Sequence, residues 1–159
     1  MDYLKRVERV LDLFTQKKKM IAFAESCTGG YICHMITNIS GSSKVFERGV
    51  VCYSNEAKIE LVNVDKSTIE QNGAVSEEVA EQLSQGIREI SGVDVGIGIT
   101  GIAGPTGGTP EKPVGLVYIG FSSREERFVD KHIFDADRLI FKNLVLEEVL
   151  SLLEKYIEE

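Results

Sequence analysis

Leu4, Val7, Leu11 and Phe14 recur at helical spacing, so the N-terminal stretch reads as an amphipathic helix. Lys17-Lys18-Lys19 closes it, where cations suit the negative end of the helix dipole. The period then changes. Met20 to Ala24 is a short unbroken apolar run, the signature of a buried strand, and the polar, glycine-bearing stretch Glu25 to Gly30 separates it from a second helix over Tyr31 to Ile36. After the loop Ser40-Gly41-Ser42-Ser43, Glu47-Arg48-Gly49 leads into a strand over Val50 to Tyr53, and Ser54-Asn55 can cap a helix beginning near Glu56. Asp65 to Gln71 predicts a short helix ended by Asn72-Gly73. Ser76 predicts the cap of a longer one, with Glu77 and Glu78 in its first turn and Val79, Leu83, Ile87 and Ile90 on one face. Gly86 weakens that helix and is read as a point of close packing against a sheet.

In Val93 to Thr100 glycines alternate with large apolar residues, which implies that another backbone or a ligand comes close on one face. Gly101 to Pro110, the richest Gly/Pro region, is either a wall of an active site or a plain connection. Val114 to Phe121 and Phe128 to Phe134 read as consecutive, antiparallel strands across the charged turn Ser123 to Glu126. Asp135-Ala136-Asp137-Arg138 opens a last helix. Its apolar residues wrap more than one face, so it is deeply buried or meets another subunit. Strands alternating with helices predict a three-layer α/β/α fold with a mixed, mostly parallel sheet of about five or six strands.

Composition narrows the class. The 159 residues suffice for one domain with its own core, and residues 1–159 are read as a single domain. A formal net charge of −7 argues against a general nucleic-acid or membrane-surface binder, though local donors can still hold a small anion. Three cysteines, Cys27, Cys33 and Cys52, without zinc-like spacing point to free thiols in a reducing, cytoplasmic setting. The sequence offers no cluster of metal ligands.

The chemistry centres on Ala24-Glu25-Ser26-Cys27-Thr28-Gly29-Gly30. A serine at a strand-to-helix junction, beside glycines and free amides, is either an ordinary helix start or a nucleophile with an oxyanion site next to it. Cys27 and Thr28 rank below Ser26 as nucleophiles, Cys27 because nothing in its surroundings marks an activated thiol. Lys58 falls in the first turn of a predicted helix, a poor place for a cation unless it is neutral or paired. The alternative is a solvent-facing lysine. Tyr53, at the end of the preceding strand, completes a trio that an α/β sheet can gather on one rim. His34 in mid-helix and His132 in a late strand are poorly placed for a Ser-His-Asp triad, so if Ser26 is a nucleophile its base must be another group, and a lysine kept neutral by desolvation can serve.

Four segments stand in one order: Ala24 to Gly30, Tyr53-Ser54-Asn55-Glu56-Ala57-Lys58, Gly73-Ala74-Val75-Ser76, and Thr100-Gly101-Ile102-Ala103-Gly104-Pro105 with Lys112-Pro113-Val114-Gly115. Together they resemble the CinA C-terminal domain family, the nicotinamide mononucleotide (NMN) deamidases called PncC, over nearly the whole chain. Larger members carry an additional pyrophosphatase-like module, and this chain resembles the stand-alone form. The resemblance implies hydrolysis of the NMN carboxamide to nicotinic acid mononucleotide and ammonia, without a cofactor, in pyridine-nucleotide salvage. It sets the family's serine on Ser26, its tyrosine on Tyr53 and its lysine on Lys58. Amides near Thr28, Gly29 and Gly30 are the expected oxyanion donors. Thr100, Gly101 and Gly104, with Arg48 or Arg138, are the expected nucleotide contacts. Arg138 matches a late arginine motif in which Ala136 replaces the usual glycine; a salt bridge to Asp135 or Asp137 is its alternative role. The expected partners are a small nucleotide and further copies of the chain, with no nucleic acid or membrane. A nucleotide-binding, non-catalytic partner protein linked to competence or damage, and an amidase for another small amide, are the competing readings.

Overall fold

The computed structural model describes residues 2–159. Five strands, β1 (Ile21–Glu25), β2 (Phe46–Val51), β3 (Val95–Gly101), β4 (Leu116–Ser122) and β5 (Arg127–Ile133), form one sheet in the order β2-β1-β3-β4-β5. β2, β1 and β3 are parallel, while β4 and β5 are antiparallel additions. The expected mixed sheet in a three-layer α/β/α fold is therefore present. Helices α1 (Tyr3–Gln16), α2 (Tyr31–Thr37) and α6 (Arg138–Glu158) cover one face; α3 (Asn55–Val62), α4 (Lys66–Asn72) and α5 (Glu77–Ser91) cover the other.

The pleat divides the core. On β1, Ile21 and Phe23 join the cluster under α1, α2 and α6, whereas Ala22 and Ala24 face the α3–α5 layer. On β3 and β4 the large residues Ile97, Ile99, Ile119 and Phe121 take the first side, leaving glycines on the second. A Cβ on Gly98 would lie 2.5 Å from Ser84 N, and one on Gly120 2.2 Å from Ala80 O. The alternating glycines thus admit a backbone, that of α5. Gly86 does not pack on the sheet as expected. A Cβ there would lie 2.0 Å from the carbonyl oxygen of Val62, so it lets α3 and α5 touch.

Most predicted elements hold to within a residue or two, and their caps are formed by Asp2, Ser54, Ser76 and Asp137. The strand expected over Val50 to Tyr53 instead starts at Phe46 and ends at Val51, preceded by a 3₁₀ turn over Ser42–Lys44. It is an edge strand paired only with β1, so its residues Glu47, Arg48 and Gly49 stay exposed and show no apolar alternation. α6 buries its apolar residues from Phe141 to Ile157, with Ser151 and Lys155 exposed on its outer side, while Leu139 and Ile140 at its start are 75% and 50% exposed. No helix among the described residues is long and apolar enough to cross a membrane.

Candidate active site

The order of strands places β1 between β2 and β3, with α2 leaving on one face and α3 to α5 on the other. A crevice opens at the carboxyl ends of the strands where such connections diverge. A cleft of about 250 Å³ lies there. Ser26, immediately after β1, Tyr53, two residues after β2, and Lys58 on α3 all line it. Thr100, Gly101 and Gly104 form a second wall, and Arg138, the first residue of α6, closes the rim.

Lys58 is 2% exposed. Its Nζ donates to the carbonyl oxygens of Cys52 at 3.1 Å and Tyr53 at 3.0 Å. Burial depresses its pKa below the ordinary lysine value, and interaction with the thiols of Cys52 and Cys27 opposes that shift. The anomaly of a lysine in a first helical turn is resolved by its direction: the side chain turns inward, under the β2–α3 corner. Tyr53 meets the lysine through its main chain, and the residue as a whole is 63% exposed at the mouth of the cleft.

Ser26 is 7% exposed, and its amide extends the sheet by donating to the carbonyl of Ile99 at 3.1 Å. The chain then turns through Gly29 and Gly30, both at positive φ (61° and 94°), into α2. That turn reorders the expected contacts. Thr28 is fully buried and its hydroxyl donates to Glu25 at 2.6 Å, so its side chain is withdrawn from the cleft. The Gly29 amide donates to the Ser26 carbonyl at 3.0 Å and is committed within the protein. Neither Gly29 nor Gly30 is part of the cleft wall. Arg48 lies on the exposed edge strand, is paired with Glu47 at 2.8 Å, and is absent from the wall as well. Arg138 forms no ion pair with Asp135 or Asp137 among the described residues.

Cys27 lines the cleft beside Ser26, but burial pushes its thiol up to about 12, which leaves almost no thiolate near neutrality. Both histidines lie outside the cleft wall. His34 is exposed on α2, and His132 on β5 sits 3.6 Å from Glu148 of α6. Two features lie in segments that the sequence singles out but carry no expected role. Ala74 and Val75, in the loop after α4, form part of the wall, with the Ala74 carbonyl held by the Thr100 hydroxyl at 2.8 Å. Glu25 is fully buried directly before Ser26, and its acidic type beside a glycine turn was the available signal.

The CinA C-terminal domain family matches residues 4–157. A Thermoanaerobacter protein named for competence-damage induction is 47% identical over 150 residues, 94% of this chain and 36% of its own length. A CinA-like protein of Kosmotoga olearia is 48% identical over 136 residues, 86% of this chain and 33% of its own. The chain therefore spans about a third of the length of the curated relatives it matches. Among solved structures, a CinA superfamily protein from Klebsiella pneumoniae superposes with a TM-score of 0.95 at 26% identity, covering 99% of each chain. The competence/damage inducible protein CihA from Agrobacterium tumefaciens does so at 0.92 with 36% identity, over 100% of this chain and 97% of that one. The chain belongs to the CinA C-terminal domain family.

Proposed function

We propose that the cleft hydrolyses the carboxamide of nicotinamide mononucleotide, with Ser26 as nucleophile and Lys58 as its base. The observation that carries this reading is the buried Lys58 amine, held by two carbonyl oxygens in the same cleft as a serine. A neutral amine has two N–H bonds and one lone pair. Two carbonyl acceptors occupy the N–H bonds and leave the lone pair for a proton from Ser26 Oγ. An ammonium there would be poorly solvated, and the depressed pKa expresses that penalty.

In this mechanism Ser26 Oγ attacks the amide carbon as its proton passes to Lys58. The tetrahedral oxyanion takes a hydrogen bond from the amide of Cys27, which lines the cleft beside Ser26 and makes no main-chain hydrogen bond among the described residues. One well-aimed donor contributes roughly 3 kcal/mol. Lys58 returns the proton to the leaving nitrogen, ammonia departs, and water activated by the same amine cleaves the ester. Arg138 at the rim is the candidate for the nucleotide phosphate.

A pocket that only bound nucleotide would have no use for a buried, proton-accepting lysine beside a serine. Ammonia release from NMN by the wild type, lost in Ser26→Ala and Lys58→Ala, is the expected result. A folded wild type that binds NMN without releasing ammonia would favour another amide or a non-catalytic sensor.

A further inference from the structure

We infer that Glu25 is a positioning residue for the nucleophile, an inference that rests on Ser26 being the reactive serine. Glu25 is the last residue of β1 and is fully buried. α2 starts from Gly30, which has no side chain to cap the helix. Glu25 does so from the strand instead. Its Oε1 accepts from the Ile32 amide at 3.0 Å and its Oε2 from the Cys33 amide at 3.0 Å, the two donors an N-cap side chain normally serves. Oε1 also accepts from the Thr28 hydroxyl at 2.6 Å. The carboxylate therefore ties the middle of the Ser26–Gly30 turn and the first turn of α2 to the strand that carries Ser26.

The same residue reaches the base through its main chain. The Glu25 carbonyl accepts from the Cys52 amide at 2.8 Å, and the Cys52 carbonyl accepts from Lys58 Nζ at 3.1 Å. Ser26 and Lys58 are thus referenced to one point in the fold. This matters because a displacement of about 1 Å between reacting groups can lower turnover roughly 100-fold. The requirement is for a carboxylate. All three side-chain partners are donors, and a glutamine would turn its own NH₂ toward one of them.

The test compares wild type, Glu25→Gln and Thr28→Val well below their unfolding temperatures, with folding checked by near-UV circular dichroism. Two readouts are taken: kcat and KM for ammonia release from NMN, and the rate at which phenylmethylsulfonyl fluoride labels Ser26, located by peptide mass. Glu25→Gln should lower kcat and the labelling rate together by roughly 100-fold with KM nearly unchanged. Thr28→Val, which removes one of the three donors, should show a smaller loss of the same kind and remains informative if Glu25→Gln does not fold. Wild-type kcat and labelling in folded variants, with only the melting temperature lowered, would make Glu25 a helix cap and overturn the inference. If wild type is labelled but does not act on NMN, the substrate assignment fails, and the labelling rates alone decide the role of Glu25. A wild type that is not labelled at Ser26 would overturn the inference, since there would be no activated serine to position.

Discussion

Lys58 Nζ sits 3.0 Å from the main-chain carbonyl oxygen of Tyr53, so the tie between these two residues does not depend on the phenol. With the Cys52 carbonyl at 3.1 Å, it fixes the amine by two acceptors that any side chain at positions 52 and 53 would still provide. The phenol at the cleft mouth is free to face substrate. Holding the lysine thus falls to the backbone of Tyr53 and leaves its ring uncommitted at the cleft mouth.

That geometry sets a pH dependence. A base works only when deprotonated, and burial lowers the pKa of Lys58 from the usual lysine value of about 10.4. The plot of kcat/KM against pH should therefore rise on its acid side and level off at a pH below that value. Tyr53→Phe should leave the position of this limb unchanged. Lys58→Arg, which stays protonated, should be inactive throughout, a loss of about 10²- to 10⁴-fold. Stability follows the same sign. Between the lowered pKa of folded Lys58 and about 10.4 the unfolded chain binds more protons, so this group makes the fold more stable as pH rises. Denaturant titrations of wild type and Lys58→Met across that window should show wild type gaining on the variant.

Cys27 provides a control. It borders the cleft next to Ser26, yet its thiol is pushed up to about 12, and burial raises that of Cys33 as well. Cys27→Ala should keep kcat within a few-fold of wild type, and iodoacetamide near neutrality should react slowly at both positions. Loss of activity comparable to that of Ser26→Ala would mean that the thiol takes part in the chemistry.

The helices and the inner strands were legible because each buries a face whose period shows in the residues, as Val79, Leu83 and Ile87 do on α5. The start of β2 was not, because Glu47, Arg48 and Gly49 lie on an edge with little to bury. Ser26, Tyr53 and Lys58 could be singled out together because each stands next to a change of period, and such junctions lie at the rim of the sheet. Thr28 and Glu25 were opaque for a common reason. A Thr and a Glu near a helix start are equally suited to solvent, to ligand and to each other, and only the bend of the chain between them, through Ser26 and Cys27, makes them partners.

The two arginines should separate cleanly. Arg138 lines the cleft and makes no ion pair among the described residues, whereas Arg48 is engaged with Glu47 on the exposed edge. If Arg138 holds the nucleotide phosphate, Arg138→Ala loses a charge-assisted hydrogen bond. KM for NMN should then rise roughly 10- to 100-fold, with a much smaller effect on a substrate lacking the phosphate. Arg48→Ala should leave KM unchanged. Equal effects of both substitutions would indicate long-range charge and not contact.

The glycines under α5 make the last prediction one of stability. At Gly98 a Cβ would stand 2.5 Å from both Ser84 N and Leu83 Cβ, and 2.8 Å from the Ala80 carbonyl oxygen. Two of these neighbours are backbone atoms of a helix that also lies against Gly96 and Gly120, so none can move aside without lifting α5. Gly98→Ala should therefore cost about 1–3 kcal/mol of overpacking, and Gly98→Val more. Glycine's flexibility works in the opposite direction, since alanine at an unstrained position stabilises by about 0.4–1 kcal/mol through the unfolded chain. The sign of the measured change thus reports on the packing. β3 runs directly into Thr100 and Gly101 on the cleft wall, so a lifted α5 should also disturb the hydrogen bond from Thr100 to Ala74. Urea titration of Gly98→Ala should show a lower midpoint. The same substitution at Gly92, where a Cβ meets nothing within 4 Å but φ is +70°, should be destabilising through backbone strain alone and leave KM untouched.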